Sequence, residues 1–251
     1  MLTLSNITHV YQNSNGENIK ALTGINENFA RGSVNLVIGS NGSGKSTLLL
    51  ISSGLLTPTF GKVSYSENSE KVNLRYTGFV FQYPENYFFE ENVFQEVTYA
   101  AKNYKLYNLK KRYCDAMNLV GLDPEKFAKY PLFELSGGEK RKIAIASSLV
   151  HDPDYLFFDE PTASLDDYGL MKLKSLINDL KKLNKTIIIS THWPEDFFDI
   201  ADNIVALNSG KIVFEGNTKK FIHDVKLRYR EFGLVLDKKL QHSVSSFERN
   251  Q

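Results

Sequence analysis

The stretch VNLVIGSNGSGKST, residues 34–47, decides how the chain folds. It opens with Val34, Leu36, Val37 and Ile38 around a single asparagine, a short apolar run that reads as a buried strand. Gly39, Ser40, Asn41, Gly42, Ser43, Gly44, Lys45 and Ser46 then spell a complete Gly-x-x-x-x-Gly-Lys-Ser, and Thr47 leads into a helical run over residues 48–52. Glycines let the backbone turn so that successive N–H groups face one point, and the helix that follows adds the positive end of its dipole. Such a loop suits the phosphates of a nucleotide, with the Lys45 ammonium bridging the β- and γ-phosphates and the Ser46 hydroxyl binding magnesium. The alternative, a glycine-rich turn with an exposed lysine, fits poorly with strand, loop and helix appearing in that order.

Outward from this loop, β-rich runs at residues 77–81, 155–158, 186–190 and 204–207 alternate with helical patterns. Several are apolar throughout, as strands buried on both faces of a mainly parallel sheet are. Residues 2–11, 63–65 and 211–215, set around turns such as Asn208-Ser209-Gly210, read as antiparallel edge material. Between Pro84 and Val150 the strand signals stop, and helical segments at 93–107, 109–120 and 138–149 predict an inserted helical subdomain. After Gly216 comes a Lys-rich amphipathic stretch at 218–232, and the last ten residues, HSVSSFERNQ, read as a loosely held tail. The expected division is a nucleotide-binding α/β core of residues 1–83 and 151–216, a helical subdomain of 84–150, and a short C-terminal helical extension and tail of 217–251.

Composition narrows the partners. Thirty Lys and Arg against 29 Asp and Glu leave a formal charge of +1 on 251 residues, so no basic field points to nucleic acid. The start MLTLSNITHV has no basic region ahead of an apolar run, and no later stretch approaches the roughly 20 apolar residues that span a bilayer. A chain that is neither secreted nor embedded is expected. The single Cys114 excludes an internal disulfide framework and fits a reducing compartment.

A second element must hold metal and activate water, and YLFFDE, residues 155–160, supplies it. Adjacent strand residues face opposite ways, so Asp159 can reach magnesium while Glu160 points at the attacking water as general base. An apolar strand ending in Asp-Glu is by itself often a solvated strand end; beside the phosphate loop the catalytic reading gains.

Residues 135–139 read LSGGE, followed by the basic run Lys140, Arg141, Lys142 and a helix. This resembles the signature motif of ABC ATPases. A capped helix start would explain Ser-Gly-Gly alone, and its company favours the motif. Other family elements fall in order: Tyr11 resembles the aromatic that stacks on adenine, Gln82 the Q-loop glutamine, Ser164, Leu165 and Asp166 the D-loop, and His192 the switch histidine. The resemblance covers about residues 2–216 and implies a P-loop NTPase fold with a mixed sheet, an antiparallel edge subdomain and an inserted helical subdomain. It implies that Ser136 and the amides of Gly137 and Gly138 hold the γ-phosphate of ATP bound by a partner subunit, and that Asp166 crosses the interface. It further implies that Gln82 joins the magnesium shell and that His192 contacts the γ-phosphate. ATP and Mg2+ are then the ligands, and two chains close head to tail over two nucleotides. As structural alternatives, Tyr11 could be an edge-strand aromatic and His192 a packed histidine at a strand end.

Residues 81–97, FQYPENYFFEENVFQEV, resemble the segment after the Q-loop in the ATPases of energy-coupling-factor (ECF) importers of vitamins and metal ions. There a coupling helix of the transmembrane T-component enters a groove and brings an arginine to acidic residues, a part open here to Glu85, Glu90 and Glu91, with Tyr87 to Phe89 as apolar wall. Phe88 and Phe89 could equally belong to the helical core. Ser40 stands where the family usually has proline, Glu139 where glutamine is common, and Trp193 where a small or acidic residue follows the histidine. The resemblance thus implies a second ATPase subunit, identical or different, a T-component met near residues 82–97, an indirect substrate-binding S-component, and a peripheral place on the cytoplasmic face of the membrane. An ATPase of another ABC importer or exporter and a soluble non-transport ABC ATPase are the rivals.

Overall fold

The computed structural model describes residues 1–65, 74–163, 165–235 and 238–249. In chain order the strands are β1 (Leu2–Gln12), β2 (Asn18–Phe29), β3 (Val34–Ile38), β4 (Phe60–Ser64), β5 (Thr77–Val80), β6 (Tyr155–Asp159), β7 (Thr186–Thr191), β8 (Asn203–Asn208) and β9 (Lys211–Asn217). The helices are α1 (Lys45–Ser53), α2 (Val93–Asn103), α3 (Leu109–Leu119), α4 (Pro124–Phe127), α5 (Gly137–Leu149), α6 (Asp167–Lys182), α7 (Thr218–Arg228) and α8 (Lys238–Arg249).

The main sheet runs β5-β6-β7-β3-β8-β9, parallel throughout except for the antiparallel edge strand β9. Its central strands are mainly apolar because each faces a core on both sides. Leu36 and Ile38 of β3, Leu156 and Phe158 of β6, and Ile187 and Ile189 of β7 join the helical side. Val37, Tyr155, Phe157 and Ile188, one residue out of step, join the other. That second core is closed by α1, through Leu48, Leu49 and Ile51, and by an antiparallel sheet of order β2-β1-β4. Helix α1 is thus held between two sheets, and the loop before it cannot drift.

On the other face, α2, α3 and α5 pack on one another through Val97, Ala101, Tyr113, Met117, Ile143 and Ala146. The mixed α/β architecture and the five central strands stand where the sequence puts them, within a residue or two. Helix α2 stops at Asn103, short of 107, because Lys105 turns the chain in the left-handed region at φ +54°. Strand β2 was not anticipated. It breaks a clean alternation with Gly24 and several register shifts against β1, and it buries the polar Glu27 between Ile25 and Phe29.

The C-terminal end corrects the expected loose tail. Residues 242–249 belong to α8, whose Leu240 and Val244 are buried, and Phe232 is sealed beside Phe214 and Phe221. Helix α8 forms although its residues are mainly polar, because tertiary contact of one narrow face outweighs weak intrinsic propensity.

Candidate nucleotide site

The site gathers at the carboxyl ends of β3, β6 and β7, where an open α/β sheet places its ligands. Each strand delivers one group through the register of the sheet: Ile38 pairs with Thr191, one residue before His192, and Asp159 pairs with Ser190. The loop from Gly39 to Gly44 needs its glycines for space. A Cβ at Gly39 would strike the Leu207 carbonyl and the Ser43 hydroxyl, and one at Gly44, at φ +106°, would lie 2.7 Å from the Ala21 carbonyl oxygen. Ser40, Asn41 and Gly42 form the exposed crest, whereas Ser43 and Thr47 are buried.

Lys45 is buried and reaches back over its own loop, donating to the carbonyls of Gly39 (3.0 Å) and Ser40 (3.2 Å). Its Nζ also lies 3.2 Å from His192 Nε2 and 3.7 Å from Glu160 Oε1. Burial pulls its pKa down, and the carboxylates of Glu160 and Asp159 oppose that shift. Glu160 is the meeting point: Oε1 lies 2.7 Å from His192 Nε2, and Oε2 accepts from Gln82 Nε2 at 3.3 Å. Its backbone sits in the left-handed region at φ +47°, an uncommon conformation for a non-glycine residue and one that concentrates at functional sites. Two hydrogen bonds hold the kink, from the Glu160 amide to the Ser190 hydroxyl (2.9 Å) and to the Ser190 carbonyl (3.1 Å).

Asp159 faces the other way. Its Oδ1 accepts from Ser46 Oγ at 3.1 Å and from Ser190 Oγ at 2.5 Å. The Ser46 hydroxyl and the Asp159 carboxylate are hard oxygen donors of the kind that magnesium uses when phosphates and water complete its shell, and Gln82 meets the neighbouring Glu160. Among the described residues there is no group of three or more His, Cys, Asp or Glu that could hold a metal ion. Tyr11 stands at the rim, partly exposed, with its hydroxyl 3.3 Å from Thr47 Oγ1 and its ring edge-on to His9.

Ser136, Gly137 and Gly138 lie exposed at the start of α5. The Ser136 side chain closes a capping box: it accepts from the Glu139 amide, while Glu139 Oε2 accepts from the Ser136 amide (2.9 Å) and hydroxyl (2.7 Å). These bonds hold the Glu139 carboxyl below its ordinary pKa. The capped helix start is therefore present, and the amides of Gly137 and Gly138 stay among the orphan donors of the first turn. Asp166 caps α6 by accepting from the Gly169 amide at 2.7 Å and is exposed; Ser164 lies outside the described residues.

Three groups escaped the sequence reading. Ser190 joins the Asp159 carboxylate to the Glu160 amide through one hydroxyl. Arg141, inside the basic run after the signature, donates to the carbonyls of Pro161, Ala163 and Gln82 and so ties α5 to the site loops. Glu96, buried in α2, accepts from the amides of Phe89 and Glu90. The residues around it divide: Phe88 packs against the helical core, while Tyr83, Tyr87 and Phe89 are exposed, with Tyr87 stacked on Phe81 at 4.1 Å. Glu91 is exposed and Glu90 half-buried; the Glu85 side chain lies outside the described residues. Among the described residues no helix is long and apolar enough to cross a membrane.

Comparison with known proteins agrees with this geometry. The sequence pattern of the ABC transporter family matches residues 22–163. The energy-coupling factor transporter ATP-binding protein EcfA2 of Thermotoga maritima is 40% identical over 231 residues, 89% of this chain and 85% of that protein. The solved structure of cbiO1 from Clostridium perfringens, part of the ABC transporter complex cbiONQ, is 33% identical with a TM-score of 0.74, over 92% of this chain and 96% of that one. An ATP-binding cassette solved as a dimer in a post-hydrolysis state with ADP and Pi is 29% identical with a TM-score of 0.77, over 87% and 99%. With its glycine-rich loop, paired carboxylates and His192 in one cluster, this chain belongs to the ABC transporter family as an ATP-binding, ATP-hydrolysing protein of the energy-coupling-factor type.

Proposed function

We propose that the chain works as one half of a two-subunit nucleotide sandwich that powers uptake of a vitamin or a transition-metal ion, lying on the cytoplasmic face of the membrane. The observation that carries the reading is Glu160, which meets Lys45, His192 and Gln82 at the end of β6 in a strained backbone conformation. Its carboxylate takes a proton from water as that water attacks the γ-phosphorus, and the bond to the ADP oxygen breaks. His192 holds Glu160 and the γ-phosphate in register, Lys45 neutralises the β- and γ-phosphates, and Tyr11 offers its ring to adenine. Ser46, Asp159 and Gln82 would hold Mg2+, which neutralises phosphate charge when bound.

Ser136, Gly137 and Gly138 serve the partner's nucleotide and Asp166 the shared interface, in a homodimer or a heterodimer. Their exposure, away from the buried cluster around Lys45, supports that division of labour. The α/β core would be residues 1–83 and 151–216, the helical subdomain 84–150, and the C-terminal extension 217–251. The exposed aromatics Tyr83, Tyr87 and Phe89 support a docking groove for a transmembrane T-component near residues 82–97, with an S-component carrying the cargo beyond it.

Glu160→Gln tests the chemistry: ATP binding is retained, turnover falls about a thousandfold, and dimers accumulate with ATP. Full turnover in that variant would remove Glu160 as base. Affinity purification from detergent-solubilised host membranes, with mass spectrometry, tests the transport role. A second ATPase or a self-pair with one T-type membrane protein and small membrane subunits is expected, and soluble partners alone would overturn it.

A further inference from the structure

The C-terminal arm touches the phosphate loop and the turn that follows His192. Gly233, at φ +70°, lies against the crest of the phosphate loop, so that a Cβ there would come within 2.7 Å of the Ser40 amide nitrogen. The segment is anchored on both sides of that contact. Asn208 Nδ2 donates to the Glu231 carbonyl at 3.1 Å, Phe232 is fully buried with the Arg228 guanidinium 5.1 Å from its ring, and Leu234 is buried.

Further on, Lys239 of α8 reaches the turn that immediately follows His192. Its Nζ donates to Asp196 Oδ1 at 2.7 Å, lies 3.9 Å from Glu195 Oε1, and sits 5.7 Å from the Trp193 ring. Both carboxylate side chains are more than nine-tenths buried, so the ammonium neutralises charge where water screens it poorly. The turn itself is stiff: the Trp193 amide donates to Thr191 Oγ1, Pro194 starts a short 3-10 helix, and Phe197 is fully buried. Asp196 thus lies four residues beyond His192 on one compact turn, and His192 Nε2 is 2.7 Å from Glu160.

We propose that the arm is part of the ATPase machinery, with Gly233 a positioning residue for the phosphate loop and Lys239 a positioning residue for His192. An arm that merely completed the core would bury Leu240 and Val244 without two polar or backbone contacts aimed at separate nucleotide elements. The inference rests on the roles given above to the phosphate loop and His192.

The test is steady-state ATP turnover by the full chain, purified with the subunits it holds in its host, for Lys239→Ala, Lys239→Arg and Gly233→Ala, with His192→Ala as reference and melting temperatures throughout. Lys239→Ala is expected to lower kcat about tenfold with KM for ATP within about twofold, and Lys239→Arg to restore it. Gly233→Ala is expected to raise KM about tenfold with little change in kcat, because it crowds the loop rather than the histidine. Wild-type kcat in Lys239→Ala beside an inactive His192→Ala would sink the Lys239 half, and an unchanged KM in Gly233→Ala the other. A fall in both constants that follows the melting temperature in both lysine variants would likewise sink the Lys239 half. Full turnover in His192→Ala would overturn the role of the histidine and the Lys239 half with it.

Discussion

The two ends of the nucleotide machinery are built in opposite ways. At the phosphate end, Lys45, Asp159, Glu160, Ser190 and His192 are buried or half-buried and satisfy one another across the ends of β6 and β7 and the start of α1. At the signature end, Ser136, Gly137 and Gly138 are exposed, and the polar bonds of Ser136 close within its own turn on Glu139. A crowded, cross-linked site can assemble its groups from one chain, whereas an open helix start carries donors for something brought from outside. The difference teaches that binding and turnover should respond separately to mutation at the two ends.

The comparison breaks most visibly at Lys45. Lys45→Ala should weaken ATP binding about a hundredfold, since a buried cation facing two phosphates is lost, and unchanged affinity by calorimetry would refute the phosphate end as described. Ser190→Ala comes next. It removes the hydroxyl shared by Asp159 and the Glu160 amide, so turnover should fall about tenfold while nucleotide affinity changes little; equal losses in both would mean that Ser190 only supports the fold.

Ser136→Ala sharpens the contrast from the other side. The helix start should lose about 1 kcal/mol of capping, and turnover should fall several-fold while the isolated chain binds ATP as before. Loss of ATP affinity in the isolated chain would place the signature in the same half-site as Lys45. The smallest effect concerns Glu139. Its carboxyl titrates below its ordinary range in the folded chain, so what it contributes is present above the unfolded pKa and is lost as pH falls through the folded one. The melting temperature of the parent should decline slightly more on the acid side than that of Glu139→Gln, and identical acid profiles would show that the capping box carries no measurable charge effect.

Much of this was legible in the chain itself, and the reason is local. Strands β3, β6, β7 and β8 advertise themselves because burial on both faces leaves each with an apolar run of three or four residues at its centre or along most of its length. Lys45, Ser46, Asp159 and Glu160 are legible because a loop and a strand end each carry their chemistry within a few consecutive residues. What stayed hidden depends on distant neighbours. Ser190 matters through Asp159 and Glu160, which lie beside it only once β6 and β7 pair in register. Arg141 reads as one more basic residue after the signature until the carbonyls of Gln82, Pro161 and Ala163 converge on it. Strand β2 breaks its alternation at Gly24, and helix α8 sets Leu240 and Val244 a helical turn apart in a stretch so polar overall that it reads as a tail; each is stabilised by a surface that the rest of the fold must first create.

The position of Trp193 has a practical consequence. It is the chain's one tryptophan, about half exposed, next in sequence to His192 and with the Lys239 ammonium near its ring. Indole emission depends on nearby charge and water, so the protein carries its own optical gauge beside the residue that would sense the γ-phosphate. Stopped-flow mixing with ATP or ADP, excited at the red edge where tyrosine absorbs little, follows that gauge in real time with no dye attached and no second indole in the chain.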